Sequence, residues 1–269
     1  MPVLKDITLG QYFPGTSVVH RLDPRVKIIL VVSYIAALFL AKGLYGYALS
    51  LCYLALAAAV SGIKPIQLVR GLRPMLFIVI FTAVLNILYI PGEHELFTVF
   101  SLSVTLEGVT TAIYMIMRLF MLVTCTFLLT YTTSPIMLTA AIEKLLAPFK
   151  LLRLPVHELA MMMTIALRMV PTLIEETDKI MSAQKARGAD FESGNILKRA
   201  KALVPLLVPL FVSSFRRADE LAVAMECRCY HGGAGRTKMK QLRVTAPDFA
   251  VAVPSLLYFA GCVTVGRLL

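Results

Sequence analysis

The stretch VKIILVVSYIAALFLAKGLYGYALSLCYLALAAAV, residues 26–60, holds only two charged side chains, those of Lys27 and Lys42. A helix that crosses a bilayer needs about 20 mostly apolar residues, or fewer where the flanking side chains reach the interface. The stretch is therefore long enough for two short spans joined around Lys42 and Gly43. It predicts a tight helical hairpin in a membrane.

The rest of the chain continues this pattern. Hydrophobic residues make up 58% of the 269 positions and charged residues only 16%, which is typical of a membrane protein. The fold class that we predict is all-α, with about five transmembrane helices and several long cytosolic or interfacial helices. The predicted spans are Val26–Ala41, Leu44–Val60, Met75–Ile90, Thr110–Tyr131 and Phe249–Val265.

Basic residues alternate between the loops. They flank the first span and fill the loop between spans two and three, whereas residues 91–109 contain no Lys or Arg. Short cytosolic loops carry an excess of Lys and Arg, so we place the N-terminus in the cytosol and the C-terminus outside. Charged residues precede the first apolar run, which argues against a cleaved signal peptide.

Four domains follow from this pattern: a cytosolic segment (1–25), a four-span membrane domain (26–132), a cytosolic helical domain (133–248) and a last transmembrane helix (249–269). The third holds 17 of the 27 Lys and Arg residues. Its helices are amphipathic with wide apolar faces, so they must pack on each other, on the spans or on another membrane protein. Pro171 should bend one long helix, and Pro205 and Pro209 should interrupt the next.

Two of these helices end at an arginine between small residues. A helix C-terminus favours a cation, and the guanidinium fork suits carboxylates or main-chain carbonyls in a groove. Gly188 can end its helix in a left-handed conformation. Both arginines either dock into partner proteins or only cap their helices in solvent. The two endings are Ala186-Arg187-Gly188 and Cys227-Arg228-Cys229.

The two helices align as a quasi-repeat when Arg187 is placed on Arg228. The alignment sets Glu175 and Glu176 opposite Arg216 and Arg217. We hypothesise that these four side chains pair where the helices cross. A separate run, Met161-Met162-Met163, is either core packing or a pliable contact surface.

Other residues could suggest a charged site in the membrane, a metal site or nucleic-acid binding. Arg118 lies inside the fourth predicted span, where a charge is a functional candidate. The alternatives are a shifted span boundary or an arginine satisfied by neighbouring carbonyls. Cys227, Cys229 and His231 lack a second ligand pair, so we predict no metal site. Basic patches interleaved with aromatic residues are absent, so we predict no nucleic-acid binding.

Longer segments resemble one family, the transmembrane T component of energy-coupling factor (ECF) vitamin importers, in its Firmicutes type with a shared module. The matching segments are GQYFPGTSVVHRLDPRVK (10–27), TTSP (132–135), LPVHELAMMMTIALRMVPTLIEETDKIMSAQKARGADF (154–191), SFRRADELAVAMECRCYHGG (214–233) and GRTKM (235–239).

The resemblance implies that Arg187 and Arg228 dock into two ATPase subunits in a bacterial cell membrane. It also implies that interchangeable vitamin-binding S components lie on the apolar helix faces. Cys227 stands where that family usually has alanine. The chain itself would bind no cofactor, because ATP and Mg²⁺ belong to the partner ATPases.

The sequence contains no G-x-x-x-x-G-K-[ST] phosphate loop, so we do not expect ATP hydrolysis by this chain. Two other functions were weighed. The permease of a conventional ABC importer would line a substrate path, yet the spans carry few polar groups. A membrane-embedded lipid transferase would need clustered Asp, Glu or His at a membrane edge, and the sequence offers no such cluster.

Overall fold

A computed structural model of the chain describes residues 12–41, 43–90, 95–99, 102–152, 155–191, 195–232 and 241–268. Its contacts divide the chain into two units. The first, here called the membrane unit, comprises Gly10–Ala141 and Leu242–Leu269. The second, the long-helix unit, comprises the described residues between Ile142 and Gln241. The sidedness of the four predicted domains stays a prediction.

Short polar signals begin the helices of the membrane unit. Asp23 caps α2 by accepting the Arg25 N–H, with Pro24 in the first turn, and Thr105 caps α6 by accepting the Gly108 N–H. The helices are α1 (Val18–Arg21), α2 (Pro24–Leu40), α3 (Gly43–Ser61), α4 (Pro65–Leu72), α5 (Leu76–Tyr89), α6 (Leu106–Thr132), α7 (Pro135–Leu145, which runs into the second unit) and α10 (Ala246–Leu268).

One departure from the predicted all-α fold lies between α5 and α6. Strands β1 (Glu95–Val99) and β2 (Leu102–Thr105) pair antiparallel, with Val99 opposite Leu102 and Glu95 opposite Thr105. The sequence predicts a loop here, between spans three and four. The segment is rich in β-branched and aromatic residues, which favour strands. The described part of the chain is otherwise helical, which confirms the fold class.

Five helical stretches in the described ranges are long and apolar enough to cross a membrane: Gly43–Ser61, Pro65–Leu88, Leu106–Thr132, Val156–Ala186 and Ala246–Gly266. Four of them overlap the predicted second to fifth spans. The predicted first span corresponds to α2, whose 17 residues reach about 25 Å against a hydrocarbon core of about 30 Å. By length and composition, α8 takes its place among the five.

Aromatic side chains form the core of the membrane unit, between α2, α3 and α10. The Tyr34 hydroxyl donates to the Ser50 carbonyl at 3.1 Å, and its ring meets Phe259 edge-on at 5.6 Å. Tyr53 stacks on Tyr258 at 5.6 Å. These contacts satisfy polar groups inside an apolar core and join the three helices.

Two helices dominate the long-helix unit: α8 (Val156–Ala186) and α9 (Ile196–Cys227). A 3₁₀ segment, Ala147–Leu152, separates α7 from α8. The prediction that Pro205 and Pro209 interrupt α9 is wrong, because the helix continues through both. Each proline removes one main-chain donor, and the 32-residue helix tolerates these two missing bonds.

A buried charge network joins the start of α2 to the start of α10. The Asp248 carboxylate accepts the Asp23 N–H, the Thr245 N–H and the Thr245 hydroxyl, each at 2.7 Å. Asp23 in turn accepts Arg25 Nε at 3.1 Å and Nη2 at 2.9 Å. Asp23 and Asp248 are both buried, so these bonds replace the water that the carboxylates lose.

Lys27 extends this network to the end of α6. Its side chain donates to the carbonyls of His20 at 3.3 Å and Thr132 at 3.0 Å, and to Thr133 Oγ1 at 3.1 Å. These three acceptors match the three protons of the ammonium group. Two carboxylates and two cations make the network neutral, so its burial needs no outside counter-ion.

We expect Asp248→Asn to lower the thermal midpoint of the purified chain in detergent. Whichever way the amide turns, its NH₂ faces the main-chain N–H of Asp23 or of Thr245, and an unsatisfied buried donor costs about 1–3 kcal/mol. Asp219→Asn is the matched control, since Asp219 is exposed. Equal midpoints for the two variants would show that the network contributes little to stability.

Candidate functional site

Helices α8 and α9 run antiparallel where they touch. Glu176 accepts the Ser213 hydroxyl in a short hydrogen bond and forms an ion pair with Arg217 Nη2 at 3.3 Å. Two turns further along α8, Gln184 Nε2 lies 3.5 Å from the Pro205 carbonyl. As the α8 number rises, the α9 number falls, so the helices point in opposite directions along this contact.

The Pro205 carbonyl is available to Gln184 because of Pro209. In an α-helix this carbonyl would accept the N–H of the residue four positions later. That residue is Pro209, which has no N–H. The proline pair that we expected to break α9 instead provides an acceptor for the neighbouring helix.

The ion pair lies near a local pseudo-twofold axis. Glu176 and Arg217 are equivalent positions of the quasi-repeat, and a contact between equivalent positions lies near the axis that relates them. Arg187 and Arg228 each follow the pair by eleven residues, which is about 16 Å along a helix. Since the helices are antiparallel, the two arginines lie towards opposite ends of the helix pair.

The other two residues of the predicted crossing do not pair. Glu175 and Arg216 are exposed, and neither makes a hydrogen bond or an ion pair in the part of the chain that the structure describes. Each precedes a contact residue by one position, which turns its side chain about 100° away from the contact. Among the described residues, Glu176 is therefore held at the crossing by the Arg217 ion pair and the Ser213 hydroxyl.

Helix α8 ends in a Schellman motif. The Gly188 N–H donates to the Lys185 carbonyl at 3.0 Å, and the Ala189 N–H donates to the Gln184 carbonyl at 3.0 Å. Gly188 has a φ of 88°, the left-handed conformation that glycine adopts without a Cβ clash. Arg187 is the last residue before this turn.

Helix α9 ends in the same motif at the aligned positions. The Cys229 N–H donates to the Glu226 carbonyl at 2.8 Å, and the Tyr230 N–H donates to the Met225 carbonyl at 3.1 Å. Cys229 takes the place of Gly188 and has a φ of 54°, the one positive φ of a non-glycine residue in the described ranges. The two arginines therefore precede backbone turns with the same hydrogen-bond pattern.

Neither guanidinium is used by its own helix. Arg187 and Arg228 are exposed, and within the described residues their side chains make no hydrogen bond and no ion pair. The last carbonyls are satisfied by the Schellman turns instead. The N–H donors of both guanidinium groups remain available to a partner that offers carboxylates or carbonyls.

The small residues beside the arginines are exposed as well. Ala186, Cys227 and Cys229 leave room around each guanidinium, and both cysteines are free thiols. His231 Nδ1 lies 2.8 Å from the Cys229 carbonyl. No three His, Cys, Asp or Glu side chains of the described segments are grouped to hold a metal ion.

Both long helices expose apolar side chains. On α8, Met162 and Met163 are exposed at 55% and 48%, whereas Met161 is half-buried. On α9 five of the exposed apolar residues recur at helical spacing along one face. They are Val204, Val208, Phe211, Val212 and Phe215.

Comparison with known proteins agrees with this architecture. A family model described as cobalt transport protein (CbiQ) matches residues 15–239. A protein of Thermosediminibacter oceani, called energy-coupling factor transporter transmembrane protein EcfT, is 52% identical over 260 residues, which cover 97% of this chain and 98% of that protein. The chain belongs to the EcfT family.

Other EcfT proteins are similar over nearly the same length. That of Ruminiclostridium cellulolyticum is 53% identical over 249 residues, covering 93% of each chain. That of Bacillus subtilis is 48% identical over 258 residues, covering 96% of this chain and 97% of the relative. The resemblance seen in the sequence is thereby confirmed: the chain is a multi-pass transmembrane component of a transporter of the EcfT type.

Two features of this EcfT-family site escaped the sequence reading. Ser213 was not singled out, although it lies one helical turn before Arg217 on the same face. The conformation of Cys229 was also missed, although the alignment already placed Cys229 on Gly188. A cysteine gives no signal for a left-handed turn, so only its aligned position could have revealed it.

Exchanging the charges of the ion pair tests the crossing. We expect Glu176→Arg and Arg217→Glu each to destabilise the chain, and the double variant to recover most of the loss. Both side chains are partly exposed, at 22% and 37%, so the coupling should be about 0.5–1 kcal/mol. Thermal unfolding of the four proteins measures it, and additive losses would rule out a direct pair.

A reciprocal swap tests the two helix ends. Cys229→Gly should remove the strain of a side chain at positive φ, and Gly188→Cys should introduce it, by about 1 kcal/mol in each case. Hydrogen exchange of the terminal amides should slow roughly fivefold at Tyr230 in the first variant and quicken at Ala189 in the second. Unchanged exchange in both would mean that these turns are not the stable ends described above.

Proposed function

We propose that this EcfT-family chain is the non-catalytic coupling subunit of a vitamin importer. It docks on two ATPase subunits and transmits their ATP-driven movement to a membrane-embedded, interchangeable S component that binds the vitamin. ATP and Mg²⁺ would be held by the ATPases and not by this chain. The N-terminus and both arginine ends lie on the cytosolic side, in keeping with the basic loops.

One observation carries the proposal: two helices end in turns with the same hydrogen-bond pattern, and the arginine before each turn has no partner among the described residues. A side chain that merely caps its helix would hydrogen-bond to the last carbonyls, but here the main chain already does so. An arginine held by a rigid turn loses little freedom when it binds, which favours docking into a preformed groove.

The arrangement of the two helix ends favours a partner that consists of two equivalent subunits. The pseudo-twofold relation of α8 and α9 gives two equivalent arginine ends, about 33 Å apart along the helix direction, because each arginine lies eleven residues, about 16.5 Å, from the ion pair. Two ATPase subunits related by a twofold axis would present two equivalent grooves for the arginines. Because the ion pair joins the helices, a shift of either end is passed to the other.

The exposed apolar faces support a second, membrane-embedded partner. Phe211 and Phe215 project from α9 with 61% and 67% of their surface exposed. Met162 and Met163 on α8 are unbranched and adaptable, which suits a surface that receives different S components. A chain that served only one fixed partner would have less use for such side chains.

A permease that contains its own substrate path is less well supported. A cavity of about 300 Å³ in the membrane unit is lined mainly by aliphatic and aromatic groups. Its one cation, Lys27, already donates to three oxygens. A polar vitamin would need free hydrogen-bonding groups there, so the substrate is better assigned to another subunit.

Charge reversal tests the docking. We expect Arg187→Glu and Arg228→Glu each to weaken co-purification of the co-expressed ATPase pair, and the double variant to abolish it together with coupled ATP hydrolysis. Losing a charge-assisted bidentate contact and placing a negative charge against a groove of carboxylate or carbonyl oxygens should lower affinity at least 100-fold. A detergent pull-down followed by an ATPase assay of each eluate gives the measurement.

Lys179→Glu on α8 and Arg216→Glu on α9 are the matched controls. Both side chains are exposed and lie eight and twelve residues before Arg187 and Arg228, away from the helix ends, so these variants should retain the ATPases. If the double arginine variant also retains full binding and turnover while staying folded, the arginines are only helix ends and the coupling role must rest on another surface.

A further inference from the structure

Arg118 is a cation inside α6, one of the helices that are long and apolar enough to cross a membrane. Its Nε donates to the Tyr47 hydroxyl at 3.0 Å, and its Nη2 makes a second, short bond to the same oxygen. The guanidinium carbon lies 5.3 Å from the centre of the Phe39 ring and 5.6 Å from that of Tyr47. Two aromatic rings and one hydroxyl thus hold the group in place.

This environment leaves the guanidinium incompletely satisfied. The group has five N–H donors, and Tyr47 takes two of them. Across the described residues the other three, two of them on Nη1, meet no acceptor, and no carboxylate pairs with Arg118. An unneutralised cation with open donors is costly in an apolar medium, so an anionic group from outside the chain is expected.

The depth of Arg118 in the membrane indicates where this anionic group comes from. Phe39 is one residue before the end of α2, and Tyr47 is four residues after the start of α3. Arg118 therefore lies about 6 Å or less, along the helices, from the turn that joins α2 and α3. The guanidinium, which contacts both rings, is thus held close enough to the membrane surface for a lipid headgroup to meet it.

Apolar side chains that flank the turn are exposed. Phe39, Leu44 and Tyr45 are exposed at 58%, 60% and 61%. On a membrane-spanning hairpin such a rim is covered by lipid, and the lipid headgroup carries a phosphate at the depth that Arg118 can reach. Guanidinium and phosphate match in charge and in the spacing of donors and acceptors.

We propose that Arg118, positioned by Tyr47, binds the phosphate of a phospholipid in the leaflet at the α2–α3 turn. The free Nη1 donors contact the phosphate oxygens, and Phe39 packs beside the upper part of an acyl chain. The lipid completes the solvation of a cation that the chain alone leaves open, and it fixes the level of the hairpin in the bilayer.

Native mass spectrometry of the full chain, delipidated and titrated with phosphatidylglycerol or with diacylglycerol of the same chains, tests this site. We expect Arg118→Gln to retain one phosphatidylglycerol fewer than the wild type at equal lipid, with at least tenfold weaker binding at that step. Diacylglycerol, which lacks the phosphate, should bind both proteins equally.

Tyr47→Phe provides a second test if Arg118→Gln proves unstable. It removes the hydroxyl that positions the guanidinium and should weaken phosphatidylglycerol binding, whereas Tyr45→Phe, an exposed hydroxyl in the same helix, should not. Unchanged phosphatidylglycerol binding in both Arg118→Gln and Tyr47→Phe would overturn the proposal. So would intact lipid binding combined with loss of a co-purified membrane protein, which would assign Arg118 to a protein carboxylate.

Discussion

The contact at Glu176 fixes how the two longest helices present their ends. Because Glu176 and Arg217 occupy equivalent positions of the quasi-repeat, their pairing places the crossing near the centre of the repeat. Arg187 and Arg228 then lie the same number of residues beyond it, in opposite directions. A crossing elsewhere would make the two ends unequal. The symmetry of the site thus follows from one pair of opposite charges at matched positions.

The two ends differ in sequence but not in backbone. Gly188 adopts a left-handed conformation at no steric cost, whereas Cys229 adopts it against a Cβ clash of about 1 kcal/mol. The Schellman hydrogen bonds at Glu226 and Met225 offset that cost. The structure keeps the turn even where the side chain disfavours it, which is expected if the turn serves to orient the arginine that precedes it.

The sequence reading located the membrane helices, the two arginine endings and the charge-complementary repeat, because periodicity, composition and alignment report on these features directly. It misjudged Pro205 and Pro209, since a proline removes one hydrogen bond but does not forbid helical φ, and packing decides whether the helix continues. It also missed the network of Asp23, Lys27 and Asp248. Asp23 and Asp248 are 225 positions apart in the sequence, and Lys27 is 105 positions from the Thr132 carbonyl that it binds. Only the tertiary fold brings these groups together.

The charged side chains of this apolar chain differ in how many of their hydrogen-bonding groups the protein satisfies. Lys27 and Asp248 have an acceptor or donor for every bonding group and are buried, so they act within the fold. Arg187 and Arg228 are satisfied by nothing in the described chain and stand at rigid ends, as a docking group should. Arg118 lies between these cases, because Tyr47 holds part of its guanidinium and leaves the rest to the bilayer. The unmet donors, more than the charge itself, indicate where a partner binds.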